Sequence, residues 1–267
     1  MQTYALDTFD DHMIITLPGD DDAATAGGNL RALIDTGWDQ TLGQTGHPSL
    51  NLLNHTYRVK PTYAGRSVSE LNKLVGTNFH YLIGTNVLCK HTFYVDWEAK
   101  QFHLLKGSQA LPPLSSKDVC LRLSKQGLST PLIDFDLLLP GGDTEERQRH
   151  TCFIDTGAKV SYIVSKAVPK DQERAVDKAE DFFPSFGVWE TNLFSLPVAL
   201  VSDEEADGTV TTDVTSLDVK FGMLPSLLEN AMLGGTCSAI LGSDLFKHYR
   251  RVGIDLAGGL LYLSPFS

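Results

Sequence analysis

Two short stretches of this chain carry the same three residues, Asp35-Thr36-Gly37 and Asp155-Thr156-Gly157. Two carboxylates held a few ångströms apart cannot both ionise cheaply, so a pair brought together holds one proton between its members. The ionised member then acts as general base on a bound water, and the protonated member as general acid. Such a pair titrates as a unit, and the sequence does not say which aspartate starts protonated. If the two act together, their carboxyl groups must lie at about hydrogen-bonding distance, directly or through one water.

What must position them is legible as a duplication. The apolar run Met13-Ile14-Ile15-Thr16 leads to Leu17-Pro18-Gly19-Asp20, then to Leu30-Arg31-Ala32-Leu33-Ile34 and the first Asp-Thr-Gly. Further on, Phe135-Asp136-Leu137-Leu138 leads to Leu139-Pro140-Gly141-Gly142, then to Thr151-Cys152-Phe153-Ile154 and the second. Both passages read as strand, turn, strand and an aspartate loop at the strand's end. Ser67-Val68-Ser69-Glu70 is a capping-box pattern that opens a short helix over residues 70–75, stopped by Gly76. Residues 225–233 read as a second helix, stopped by Gly234-Gly235.

Eight residues after Gly76 comes Gly84, in Tyr81-Leu82-Ile83-Gly84-Thr85-Asn86, and eight after Gly234 comes Gly242, in Ala239-Ile240-Leu241-Gly242-Ser243-Asp244. A short amphipathic segment follows each, at 87–91 and 245–249. Each copy then closes with a strand pair, at 93–96 with 102–104 and at 252–255 with 260–263. Four landmarks in one order make coincidence implausible. The second copy is about forty residues longer between its Asp-Thr-Gly and its later glycine, an insertion that belongs in surface loops. Residues 106–117, with Gly107, Pro112, Pro113 and three serines, form the natural linker. The expected units are residues 1–115 and 116–267.

An apolar pair before Asp-Thr-Gly, followed later by an apolar pair and Gly before a short helix, resembles the pepsin–retropepsin group of aspartic peptidases. The resemblance covers nearly the whole chain and occurs twice, and Leu82-Ile83-Gly84-Thr85-Asn86 is especially similar to the retroviral form. It implies a mostly β protein of two closed, barrel-like lobes related by a pseudo-twofold axis, with short helices. It implies an endopeptidase whose catalytic pair is Asp35 and Asp155. Thr36 and Thr156 would bond across the axis to the opposite loop's backbone. Gly37 and Gly157 would allow close backbone approach, and Gly84 and Gly242 would pack beneath the aspartates.

Pepsin-like loops carry Ser or Thr after the glycine, whereas this chain has Trp38 and Ala158, the latter as in retroviral enzymes. Without those hydroxyls the carboxylates lose a favourable hydrogen bond, so the pair is expected to titrate higher than in pepsins. Trp38 is the main departure: its bulk either walls a substrate subsite, fills space under the loop or blocks the site. Asp39 beside it adds a third nearby carboxylate. A flap over the substrate is expected within residues 50–65, with Tyr63 and Gly65 touching substrate. The second copy offers residues 182–195, with Trp189. The stretch Asp203-Glu204-Glu205-Ala206-Asp207-Gly208 reads as a solvated turn.

Bulk properties agree with this reading. The 267 residues, 42% hydrophobic and 21% charged, suit a globular protein with a real core. A net charge of -11 argues against nucleic acid as partner. No run of about 18 apolar residues is present, so no membrane span is expected. Residues 1–12 lack a basic stretch followed by an apolar one and do not read as a signal peptide, and Cys89, Cys120, Cys152 and Cys237 read as free thiols, so a cytoplasmic location is expected. No HExxH pair, zinc-finger spacing, phosphate loop or G-x-S-x-G elbow occurs, so neither metal nor cofactor is expected. A peptide or protein substrate and a monomer complete the reading. Its rivals are a peptide-binding protein of the same fold without catalysis, and a scaffold that uses its barrel faces for partners.

Overall fold

The computed structural model describes residues 1–18, 29–106, 118–126, 130–139, 146–169, 175–183, 186–201, 215–233, 235 and 237–266. The turns expected after Leu17 and Leu139, the boundary near residue 115, the acidic turn at 203–208 and the stop at Gly234 lie outside the described residues.

The chain is mostly β. It opens with a hairpin of β1 (Gln2–Phe9) and β2 (His12–Leu17), joined by Asp10 and Asp11 at φ 45° and 68°. Two successive left-handed residues match the twist of the flanking strands, and aspartate tolerates that conformation better than most residues. Next come β3 (Leu30–Ile34), the two-residue β4 (Leu42–Gly43), and two small hairpins. These are β5 (Ser49–Leu52) with β6 (His55–Arg58), and β7 (Thr62–Tyr63) with β8 (Arg66–Ser67). Helix α1 (Val68–Val75) follows, with the capping box complete: Ser67 and Glu70 bond reciprocally, and Gly76 ends it at φ 80°. Val68, Leu71 and Val75 turn its apolar stripe inward.

Then β9 (Tyr81–Ile83) runs into the single turn α2 (Thr85–Leu88), followed by β10 (His91–Asp96) and β11 (Gln101–Lys106). The second half contributes β12 (Val119–Arg122), β13 (Ser124–Gln126), β14 (Thr130–Leu139), β15 (Glu146–Ile154) and β16 (Ser161–Ile163). A long hairpin of β17 (Asp177–Phe183) and β18 (Gly187–Val201) precedes β19 (Thr215–Gly222) and α3 (Ser226–Met232). The chain finishes with β20 (Ala239–Leu241), α4 (Ser243–Phe246), β21 (Tyr249–Asp255) and β22 (Leu260–Pro265). Helices α2 and α4 start two residues earlier than the amphipathic pattern indicates. Each is capped by an extended glycine, Gly84 or Gly242, so the first turn forms directly after it.

Six strands of the second half, in the order β14-β15-β20-β16-β19-β18, close into a barrel through the β14–β18 pairing. In the first half the strands continue instead into a ten-stranded sheet, β12-β22-β21-β10-β11-β1-β2-β3-β9-β4. The short β4 and the separate β5–β6 and β7–β8 hairpins leave that edge open. The ten-stranded sheet joins the two halves through β10 and β21, where Phe93 faces Ile254 and Val95 faces Val252. One core runs through both halves, and a second, smaller cluster (Ile14, Leu33, Val68, Leu71, Phe79 and Leu82 among it) fills the space between α1 and the first aspartate strand.

Candidate active site

Two parallel pairings bring the motifs together. Strand β3 runs beside β9, with Ile34 opposite Ile83, and β15 beside β20, with Ile154 opposite Leu241. Buried parallel strands need apolar residues on both faces, which accounts for the continuous Ala-Leu-Ile and Cys-Phe-Ile runs. Each pairing ends with the aspartate N–H donating to the neighbouring strand: Asp35 to the Ile83 carbonyl at 3.0 Å and Asp155 to the Leu241 carbonyl at 2.9 Å. The glycine motif is thereby fixed under each loop. Thr85 N–H donates to the Trp38 carbonyl and Ser243 N–H to the Ala158 carbonyl, both at 2.8 Å. Thr41 receives Gly84 N–H and donates to Asn86; Ser161 receives Gly242 N–H and donates to Asp244.

The two loops are tied by reciprocal bonds. Thr36 Oγ1 donates to the Ile154 carbonyl at 2.8 Å and accepts Thr156 N–H at 3.0 Å. Thr156 Oγ1 donates to the Ile34 carbonyl at 2.9 Å and accepts Thr36 N–H at 3.0 Å. Both threonines are buried. A Cβ on Gly37 would stand 2.3 Å from the Asp155 carboxyl carbon, and one on Gly157 would stand 2.4 Å from that of Asp35. Only glycine leaves room there for the opposite carboxyl group.

The carboxyl groups of Asp35 and Asp155 lie within hydrogen-bonding reach of each other. Burial, and then the facing Asp155, push the Asp35 carboxyl well above the ordinary carboxylate range. Burial also raises Asp155, but backbone donors offset it: Gly157 N–H at 2.8 Å and Ala158 N–H at 3.1 Å, both on Oδ1. Gly37 N–H reaches Asp35 Oδ1 at 3.0 Å.

The pair opens on a cleft. Gly37, Trp38, Gly157, Ala158 and Trp189 line it, as do His12, Tyr162, Asp181 and Phe182. Trp38 walls the cleft and packs edge-on against Tyr63, ring centroids 5.9 Å apart. Tyr63 itself meets the cleft only through Trp38, and its hydroxyl donates to Asp39 at 2.9 Å. Gly65 sits at the β7–β8 turn at φ 74° with open space around it. The β5–β6 hairpin packs inward through Leu50 and Leu52, and Tyr57 bonds His91, so this part of residues 50–65 does not line the cleft. The third carboxylate facing the cleft is Asp181, whereas the exposed Asp39 turns to Tyr63.

Asp181 and His12 carry no sequence signal of their own. Asp181 is one charge in a charged strand, and only the β17–β18 pairing, Asp181 opposite Trp189, turns it inward. There it accepts the Tyr162 hydroxyl at 2.5 Å and Phe182 N–H at 2.8 Å. Burial, only partly offset by these bonds, raises its pKa to about 6. Such a carboxyl is bound by its proton more tightly when folded than when unfolded, where it titrates at about 3.9. Its contribution therefore declines as pH rises from about 4 to 6 and stays lower above that. Asp181→Asn, which keeps an acceptor for Tyr162, is expected to gain about 2–3 kcal/mol on the wild type between pH 4 and pH 7. Urea denaturation of both proteins at the two pH values measures it; a pH-independent difference would refute it.

No protein-family model and no curated protein matches the sequence. Among solved structures, the aspartic proteinase from Irpex lacteus is similar over 100% of this chain and 97% of its own, with a TM-score of 0.51 at 9% identity. At that identity the likeness is one of fold. The chain has an aspartic-proteinase fold.

Proposed function

We propose that the protein is a single-chain aspartic endopeptidase. The observation that carries this reading is the pair of carboxyl groups, buried Asp35 and half-buried Asp155, within hydrogen-bonding reach of each other at one cleft. The extra N–H donors on Asp155 support it as the ionised member, with Asp35 holding the shared proton. Asp155 takes a proton from a water as the water oxygen attacks the scissile carbonyl carbon, and Asp35 gives its proton to the carbonyl oxygen. The resulting diol collapses. The C–N bond breaks, the leaving nitrogen takes the proton held by Asp155, and Asp35 recovers a proton from a diol hydroxyl. The substrate is a peptide or protein segment lying along the cleft, and one chain supplies both halves of the site. A monomer working in the cytoplasm fits this reading.

Incubation with a peptide library, with and without pepstatin, tests the reading. Pepstatin-sensitive cleavage at defined bonds is expected, and intact peptides over a broad pH range would overturn it. The pH profile follows from the surroundings of the pair. Activity needs one proton on two carboxyls, and burial raises both, so the bell-shaped kcat/KM profile is expected to peak in weak acid, above about pH 4. A profile still climbing below about pH 3 would contradict this.

A further inference from the structure

The residue after each Asp-Thr-Gly holds the same place in both copies. Trp38 N–H bonds the Asp35 carboxyl as Ala158 N–H bonds that of Asp155. The Trp38 carbonyl accepts Thr85 N–H as the Ala158 carbonyl accepts Ser243 N–H, both at 2.8 Å. Both residues line the cleft. One carboxyl therefore has an indole beside it and the other a methyl.

The indole cannot be pushed aside cheaply. Thr85 Oγ1 adds a second bond to the Trp38 carbonyl, at 3.3 Å. Tyr63 meets the ring edge-on and is itself held by Asp39. The ring packs on the small cluster around α1, whose Leu71, Val75 and Leu82 also line the cleft. Phe182 reaches the same cluster from the β17–β18 hairpin of the second half. Trp38 stays half-buried, so part of its ring surface is accessible at the cleft. Forcing bulk against a wall packed in this way displaces its neighbours and is costly.

Around the second loop the walls are made differently. Phe153, Leu224, Met232 and Ile240 line the cleft from the second half. Met232 is half-buried, and its unbranched side chain adapts to what it meets. The bulky Tyr162 and Trp189 come from β16 and β18 and pack on each other, ring centroids 6.1 Å apart. The place beside Asp155 in the loop itself is left to Ala158. An extended peptide turns successive side chains to opposite sides, so the residues around a bond held at the aspartates meet the two loops separately.

We propose that Trp38 is a specificity-determining residue: it admits only a small side chain, Gly, Ala or Ser, at one substrate position next to the scissile bond, while the position that meets Ala158 takes a large one. The inference rests on the peptidase reading for the identity of the ligand as a peptide.

Peptides that differ only in Gly, Ala, Leu or Phe at each position within two residues of the cut measure it, assayed with wild type, Trp38→Ala and Trp38→Leu. At one position the wild type is expected to favour Ala over Leu or Phe by about 10- to 100-fold in kcat/KM. Trp38→Ala should remove most of that preference, Trp38→Leu part of it, and neither should alter the preference at the other positions. If Trp38→Ala does not fold, the series on wild type and Trp38→Leu decides. Calorimetric binding of the same peptides with a reduced, uncleavable scissile bond reads recognition apart from turnover. Cleavage without a small-residue position, or with that preference intact in the variants, overturns the role of Trp38 and leaves the peptidase reading standing. A loss shared equally by all peptides makes Trp38 a structural residue and overturns the role as well. Size-dependent binding, relaxed in the variants, without cleavage of the ordinary peptides overturns the peptidase and upholds Trp38. Neither binding nor cleavage overturns both.

Discussion

Asp155→Asn and Asp35→Asn are each expected to lower kcat by roughly 10²- to 10⁴-fold, the range supplied by a positioned general base or acid. Asparagine keeps the shape of the side chain but cannot ionise, so neither variant can pass a proton between water, carbonyl and leaving nitrogen. The two groups act as one device, and the double variant should therefore be little worse than either single one. The loss will not come from unfolding. Burial already disfavours charge on both carboxyls, Asp35 most. A neutral side chain there should leave stability at neutral pH unchanged or higher. Kinetic assays paired with thermal melts check both halves of the statement. Inactive variants that melt well below the wild type would point to a structural pair instead of a chemical one.

The second large effect concerns the ties between the loops. Thr156→Val keeps shape and volume but strips the Ile34 carbonyl and the Thr36 N–H of their partner. Thr36→Val does the same to the Ile154 carbonyl and the Thr156 N–H. An orphaned buried polar group costs about 1–3 kcal/mol, so each variant should lose roughly 2–6 kcal/mol. That is a large part of the 5–15 kcal/mol that typically holds a folded protein together. The two variants should be near equal, and the double one less than additive, because the bonds belong to one network. Thr156→Ser keeps the hydroxyl and should lose far less. Chemical denaturation measures all four; a loss below about 0.5 kcal/mol in both valine variants would refute the tie.

The features that were legible beforehand share one property: their cause lies within a few residues. Ser67 and Glu70 announce the start of α1 because a capping box is a local hydrogen-bond exchange, and Gly76 ends it because a left-handed residue must. The strand before each aspartate shows in its apolar run. The amphipathic segments after Gly84 and Gly242 begin two residues inside α2 and α4, because the glycines cap these turns in extended conformation and no side chain signals it. The flap is expected within residues 50–65, but buried Leu50 and Leu52 fold its β5–β6 part onto the core.

By itself the sequence determined that one chain carries two copies of a strand-ending Asp-Thr-Gly, each with a later glycine to pack beneath it, and hence which chemistry to look for. Tertiary structure alone decided that Asp181 turns inward onto the cleft while Asp39 turns out to Tyr63. The physical reason is range. Caps, turns and strand patterns are written by neighbours in the chain, whereas desolvation and hydrogen-bond supply at a side chain are set by whatever distant segment packs against it.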